Sequence, residues 1–183
     1  MNKNNINSFS KYLSYLLRHN PSDIDLSMNN QGWVSVDELI SNLEKFNKYQ
    51  ITFDFLKEVV DNDSKQRYSF TDDFKYIRAN QGHSVDVEID FKEFIPLGVL
   101  YHGTALRFVD EILNSGGFKP MTRKYVHLSK DNDTARNVGT RHGKPAILVV
   151  DAVSMINDGF KFYESDNGVV LIKEVPSKYL TLQ

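Results

Sequence analysis

The sequence predicts an α+β protein built from two lobes. In the first half, apolar residues recur at helical spacing in three segments, and two short strand-like segments follow them. The second half instead contains several short strands bounded by turn residues. Residues 1–96 contain 11 basic and 15 acidic side chains, whereas residues 97–183 contain 11 and 9. We therefore place one lobe at residues 1–90, a linker at 91–96, and a second lobe at 97–183.

The first lobe is predicted to contain three helices and a hairpin. Ser8, Ser35 and Thr52 are the predicted N-caps of the helices, because a side-chain oxygen at that position can accept a hydrogen bond from the first turn. The strands 67–70 and 75–79 follow around a polar turn. Three helices and then a hairpin is the element order of a winged-helix module. An alternating segment farther on, 85–89, is predicted to be an edge strand.

The second lobe is predicted to open with a buried strand that ends at His102-Gly103-Thr104. A glycine at a strand end would let a polar ligand approach the backbone, although a turn with a partly exposed histidine explains the same residues. An amphipathic helix follows and ends at Gly116-Gly117. Asp166-Asn167-Gly168 is a hairpin turn signal. The later strands are predicted at 125–129, 146–151, 160–164 and 169–173, and the second of these is central because it is apolar on both faces.

The composition excludes several kinds of site. There is no cysteine, which excludes disulfides, thiolate nucleophiles and cysteine-based zinc sites. No His, Asp and Glu cluster has ligand spacing, so no metal is expected. The absence of an 18-residue apolar run and of a signal-peptide core predicts a soluble, cytoplasmic protein without a membrane partner. Residues 119–144 include seven basic and two acidic side chains, which indicates either an anion-binding surface or a solvated basic face.

Short motifs spread along the chain match one family in order. They are SKYLSYLLRH at 10–19, GWV at 32–34, VDEL at 36–39, RY at 67–68, IRANQGHS at 77–84, LYHGT at 100–104, Arg123, VHLS at 126–129, VGTRHGKP at 138–145 and NGV at 167–169. With these motifs the chain resembles the NAD-dependent RNA 2′-phosphotransferases, which are associated with removal of the 2′-phosphate at a tRNA splice junction. Asp25 departs from the family pattern, since relatives usually have glycine there.

The resemblance implies an N-terminal winged-helix RNA lobe and a C-terminal ADP-ribosyltransferase-like sheet lobe that holds NAD. The family's four essential residues fall on Arg18, His19, Arg67 and Arg123. The residues implied to bind NAD are His102, Gly103, Thr104, His127, Ser129 and Arg141. The resemblance also implies a monomer that uses NAD as a co-substrate and needs no metal.

The reaction that the resemblance implies has two steps. The RNA 2′-phosphate first attacks the nicotinamide ribose of NAD, and the ADP-ribosylated RNA then yields 2′-OH RNA and ADP-ribose 1″,2″-cyclic phosphate. Arginines suit both steps, because a guanidinium stays charged and its planar fork matches phosphate oxygens.

Ordinary structural explanations exist for each residue taken singly. Arg18 and His19 would complement the dipole of a helix C-terminus, Arg67 could pair with an aspartate across the strands, Arg123 could be a solvated charge, and His127 could point to solvent. Two other functions also stay open. One is a protein ADP-ribosyltransferase that uses Glu164, and the other is a winged-helix module without enzymatic activity.

Overall fold

A computed structural model describes the backbone of residues 3–183 and the side chains of residues 6–141 and 143–183. The chain forms two compact units, Met1–Asp90 and Phe91–Gln183. Helices and antiparallel strands occur in both units, so the predicted α+β class is confirmed. No helix within the described residues has both the length and the apolar character needed to span a membrane.

The first unit combines three helices with a small antiparallel sheet. The helices are α1 (Lys3–Arg18), α2 (Val36–Lys45) and α3 (Phe53–Asp61), and the strands are β1 (Val34–Ser35), β2 (Tyr68–Phe70) and β3 (Tyr76–Ala79), in the order β1-β3-β2. The apolar faces of the helices pack together with Ile77 and Tyr68 of the sheet. This is the element order that the sequence predicts; that the unit is a winged-helix RNA lobe stays a prediction.

Two of the three predicted helix caps are confirmed. The Ser35 hydroxyl accepts a hydrogen bond from the Glu38 amide at 3.3 Å, and the Thr52 hydroxyl accepts one from the Phe55 amide at 3.3 Å. The Ser8 cap is wrong, because α1 already begins at Lys3. No proline or glycine stands between Lys3 and Ser8 to stop the helix from extending toward the N-terminus.

One loop of the first unit contains a residue with a positive φ angle. Asp25 has a φ of +51°, the left-handed region that aspartate tolerates better than most residues and glycine tolerates best.

The predicted edge strand at 85–89 is wrong, because this segment has no partner strand. Its backbone donors bond instead to single carbonyls: the Val85 amide to Arg18 and the Glu88 amide to Asn30.

The second unit is built mainly from antiparallel strands. They are β4 (Lys92–Phe94), β5 (Leu100–Ala105), β6 (Gly117–Phe118), β7 (Val126–Leu128), β8 (Pro145–Val150), β9 (Phe162–Glu164), β10 (Val170–Ile172), β11 (Val175–Pro176) and β12 (Leu180–Leu182). The helices are α4 (Val109–Asn114), α5 (Asn132–Gly139) and α6 (Ala152–Asn157). The sheet orders are β4-β9-β10-β7, β12-β8-β5 and β11-β6. The central place of β8 agrees with its apolar sequence.

Three features of the second unit differ from the predictions. Residues 91–96, predicted as a linker, contain β4, which pairs with β9. The strand β5 was predicted to end at His102-Gly103-Thr104 but continues to Ala105, since it pairs with β8 over its whole length. The helix predicted after it starts later, at Val109, behind a single turn of 3₁₀-helix.

Candidate active site

Arg18 and His19 lie at the C-terminal end of α1, against the loop that follows β3. His19 Nδ1 and the Ser84 hydroxyl are 2.9 Å apart, and the Ser84 amide donates to the Arg18 carbonyl at 2.9 Å. Arg18 is 8% exposed, whereas His19 is exposed. An added Cβ on Gly82 would lie 3.7 Å from the Arg18 guanidinium carbon, so the loop passes close to that group. Residues far apart in sequence therefore hold this arginine and histidine.

Arg67 is fixed by an aspartate that the sequence analysis did not identify. One Asp63 carboxylate oxygen accepts from Arg67 Nη1 at 2.5 Å, and the other accepts from the Arg67 backbone amide at 2.7 Å. The Asn80 amide donates to the Arg67 carbonyl at 2.8 Å. The partner therefore precedes Arg67 by four residues rather than facing it across the strands. The Asp-x-x-x-Arg spacing could have suggested this ion pair. The spacing falls in a turn, however, where sequence spacing does not determine which side chains are in contact.

The Tyr68 hydroxyl is under the electrostatic influence of Arg18 and Arg67. Burial raises the pKa of the Tyr68 hydroxyl, and the positive charges of Arg67 and Arg18 act against that rise. The hydroxyl donates to the Ser10 carbonyl at 2.6 Å. Both residues also contact the segment that follows β3, since the Ser84 amide donates to the Arg18 carbonyl and the Asn80 amide donates to the Arg67 carbonyl. The first unit thus brings together three of the predicted catalytic residues, which we call the first cluster (Arg18, His19 and Arg67).

In the second unit, His102 and His127 are joined through a backbone carbonyl. His102 Nδ1 lies 3.0 Å from the His127 carbonyl oxygen. A carbonyl can only accept, so His102 Nδ1 carries the proton. The His102 ring also contacts the Phe118 ring, with 4.0 Å between centroids. The tautomer and orientation of His102 are therefore both determined by its neighbours.

Arg123 contacts the side chain of His127. Its Nη1 atom lies 2.7 Å from His127 Nδ1. A guanidinium has donors only, so Nδ1 accepts and the neutral ring carries its proton on Nε2. Arg123 is open to solvent, yet desolvation by the surrounding protein lowers the pKa of its guanidinium below the ordinary value. We call His102, Arg123 and His127 the second cluster.

Gly103 and Thr104 have a packing role that the sequence did not reveal. An added Cβ on Gly103 would lie 1.6 Å from the Ala135 carbonyl oxygen, so the backbone of α5 occupies the space that a side chain would need. An added Cβ on Gly139 would likewise lie 2.7 Å from the Thr104 carbonyl oxygen. The close approach of α5 to β5 therefore requires the glycine; that Gly103 and Thr104 bind NAD stays a prediction.

The other two predicted NAD-binding residues, Ser129 and Arg141, differ in their surroundings. Ser129 exchanges both backbone hydrogen bonds with Tyr101, at 2.8 and 2.9 Å, and so links the end of β7 to β5. Arg141 is exposed on the turn of 3₁₀-helix after α5. Among the contacts of the described residues, none joins Arg141 to the second cluster.

The described residues also contain no group of three or more His, Asp or Glu side chains that could hold a metal ion.

Comparison with known proteins identifies the family. The model of the RNA 2'-phosphotransferase, Tpt1 / KptA family matches residues 3–174. A probable RNA 2'-phosphotransferase of Trichormus variabilis is 50% identical over 171 residues, which are 93% of each chain. Those of Flavobacterium johnsoniae and Nostoc punctiforme are 46% and 47% identical over 180 residues, covering 98% of each chain. The chain therefore belongs to the RNA 2'-phosphotransferase, Tpt1 / KptA family.

Proposed function

We propose that this protein transfers the internal 2′-phosphate of an RNA, of the tRNA splice-junction type, to NAD. The products would be RNA with a 2′-hydroxyl, nicotinamide and ADP-ribose 1″,2″-cyclic phosphate. Family membership supports transfer of a 2′-phosphate from RNA. The observation that supports the finer proposal is that hydrogen bonds hold the side chains of His19, Arg67 and Arg123 and the backbone of Arg18.

The first cluster is assigned to the RNA 2′-phosphate. Arg67 and Arg18 offer guanidinium donors, and His19 adds a third polar group. These residues orient a phosphate oxygen toward C1″ of the nicotinamide ribose. The new C1″–O bond forms as the C1″–N bond breaks, and the electron pair of the broken bond goes to the pyridine ring, so nicotinamide leaves neutral. Because the nucleophile is already anionic, positioning is the main contribution of the protein.

Arg123 is assigned to the second step. The 2″-hydroxyl oxygen attacks the same phosphorus, the bond from phosphorus to the RNA 2′-oxygen breaks, and the proton lost by the hydroxyl balances the one that the RNA oxygen gains. Negative charge spreads over the phosphoryl oxygens in this transition state. A guanidinium stabilises that charge where it develops.

The second cluster fits a nicotinamide dinucleotide in its donor and acceptor pattern. Since His102 Nδ1 carries the proton, Nε2 of the neutral ring is an acceptor. NAD offers ribose hydroxyls and a carboxamide as donors. We therefore assign His102 to NAD. The reaction needs no metal, and we expect full activity in excess chelator; loss of activity in EDTA that one divalent ion restores would contradict this.

The function is tested by incubating a 2′-phosphorylated oligonucleotide with NAD and following the products by mass. We expect equal amounts of dephosphorylated RNA, nicotinamide and ADP-ribose cyclic phosphate. The same oligonucleotide without NAD, and one without the 2′-phosphate, are the controls. Phosphate release without NAD would indicate a phosphatase, and transfer of ADP-ribose to protein would indicate a protein ADP-ribosyltransferase. Absence of nicotinamide release would indicate a binding module.

A further inference from the structure

In the hydrogen bond between Arg123 and His127, only Arg123 can be the donor. Every nitrogen of a guanidinium is a donor, so His127 Nδ1 must accept at the observed distance of 2.7 Å. A protonated imidazole would place an N–H against an N–H, with two like charges side by side. The contact therefore requires a neutral His127, with its proton on Nε2.

His127 is well anchored, whereas the backbone around Arg123 is not regular. His127 lies in the middle of β7, opposite Leu171 of β10, and its carbonyl accepts from His102 Nδ1. Arg123 lies between β6 and β7, in a segment without helix or strand. A long side chain on such a segment loses much conformational freedom when it is held in one geometry. His127 supplies a fixed acceptor that selects that geometry.

The partner of Arg123 is uncharged. Among the described residues, no carboxylate pairs with Arg123, and desolvation is the cause of its lowered pKa. A carboxylate at this place would neutralise the guanidinium and repel a phosphate. A neutral imidazole orients the guanidinium and leaves its whole positive charge for an anion.

We propose that His127 is a positioning residue whose Nδ1 atom holds the Arg123 guanidinium for the phosphoryl-transfer step. This goes beyond the NAD contact that the family resemblance implies for His127, and it rests on the proposed function. Loss of the acceptor then slows attack of the 2″-hydroxyl on phosphorus, while nicotinamide release continues. The ADP-ribosylated RNA accumulates as a result.

Two amide substitutions separate the two ring nitrogens. In His127→Asn the amide oxygen lies near the position of Nδ1, and in His127→Gln the amide lies near that of Nε2. We expect His127→Asn to process the adduct nearly as fast as the wild type. We expect His127→Gln and His127→Leu to slow that step roughly 10–100-fold, as for loss of one hydrogen bond to a charged group.

The measurement is a single-turnover time course with a 2′-phosphorylated oligonucleotide, in which nicotinamide release reports the first step and adduct decay reports the second. We expect His127→Leu to slow adduct decay more than nicotinamide release, since only the second step depends on the held guanidinium. Addition of Arg123→Ala to His127→Leu should cost no more than Arg123→Ala alone, because the two residues act as one unit. The matched control is Lys130→Met, which removes a basic side chain three residues away that pairs with Glu164; both steps should be unchanged.

The opposite pattern would overturn the inference. If His127→Gln is active and His127→Asn is not, or if His127→Leu raises the KM for NAD and no adduct appears, His127 acts on NAD through Nε2. If the wild-type protein releases no nicotinamide, the proposed function fails instead. Should His127→Leu not fold, the Asn and Gln variants still decide, since they differ only in where the amide lies.

Discussion

Arg67 and Arg123 are both predicted to be essential, yet the protein holds them in opposite ways. Arg67 is paired with the carboxylate of Asp63, whose side chain is 6% exposed, while that of Arg67 is 27% exposed. Arg123 is paired with a neutral imidazole and is open to solvent. The charge of the Arg67 guanidinium is therefore largely compensated, whereas the Arg123 guanidinium keeps its full charge.

Under the proposed function, we expect the two arginines to make different contributions to the reaction. A guanidinium that is paired on one edge still offers the other edge as a rigid fork, so Arg67 contributes geometry more than net charge. Arg123 contributes charge where the phosphoryl group becomes more negative. If this division is right, substitutions at the two sites affect different steps.

The largest effect is expected for Arg123→Ala. Loss of a donor of this kind slows a step by roughly 10²–10³-fold. We expect the second step to slow and RNA carrying ADP-ribose on its 2′-phosphate to accumulate, while nicotinamide release is less affected. A time course on a denaturing gel, confirmed by mass, measures this.

Arg123→Lys sharpens the same test. The ammonium keeps the charge but loses the planar fork, so the rescue should be partial. If Arg123→Ala leaves both substrates untouched and no adduct forms, Arg123 acts in the first step or in binding, and the division of roles is wrong.

A smaller effect is expected for Asp63→Asn. The amide can still accept from the Arg67 backbone, but the charged contact to Nη1 is lost. We expect nicotinamide release to slow about tenfold, as for loss of a charge-assisted hydrogen bond, with no adduct. The control is Asp73→Asn, because Asp73 pairs with an exposed lysine in the hairpin. Accumulation of adduct in Asp63→Asn would show that Arg67 also serves the second step.

His102→Ala should affect NAD more than RNA. The substitution removes a ring whose orientation the His127 carbonyl and Phe118 determine. We expect the KM for NAD to rise about tenfold, as for one lost polar contact, and the KM for the oligonucleotide to change little. Steady-state kinetics with each substrate varied in turn measures both. Equal increases for the two substrates would contradict the assignment of His102 to NAD.

The smallest effect concerns acid stability, in which the two units should behave alike. Each contains an aspartate bonded to a tyrosine and a lysine: Asp23 with Tyr12 and Lys48, and Asp158 with Tyr179 and Lys178. In each case the tyrosine hydrogen bond lowers the pKa of the aspartate below its ordinary 3.8. The ionised form therefore favours folding above pH 3.8, and this contribution disappears as the pH falls through the lower, folded-state pKa.

The acid effect is measured as the urea midpoint of unfolding between pH 6 and pH 3. The two carboxyl groups lie at the surface, so each contribution should be small. We expect Asp23→Asn and Asp158→Asn to reduce the pH dependence to a similar extent. A midpoint for Asp158→Asn that depends on pH as strongly as that of the wild type would show that this contact does not persist in solution.

Local signals predicted much of the fold correctly. Ser35 and Thr52 cap helices because a cap depends only on residues within one turn. The Asp166-Asn167-Gly168 turn between β9 and β10 was equally predictable, since Gly168 takes a φ of +78°. Two local predictions were wrong, and each for its own reason. Ser8 had no competing stop signal before it, and the alternating segment 85–89 lacked a strand to pair with.

The sequence by itself determined the family and the side chains that are candidates for its chemistry. Its motifs identify Arg18, His19, Arg67 and Arg123, and the absence of cysteine removes thiolate chemistry. These conclusions need no coordinates, because residue types and order carry them.

Only the tertiary structure decided how each group is held. Distances between atoms show that Asp63 pairs with Arg67 and that His127 accepts from Arg123. They also show that the backbone of α5 leaves room only for a glycine at position 103. Such contacts arise when turns and strands bring side chains within about 3 Å of each other. Spacing along the chain sets these distances only inside regular elements, and these three contacts lie in turns or between elements.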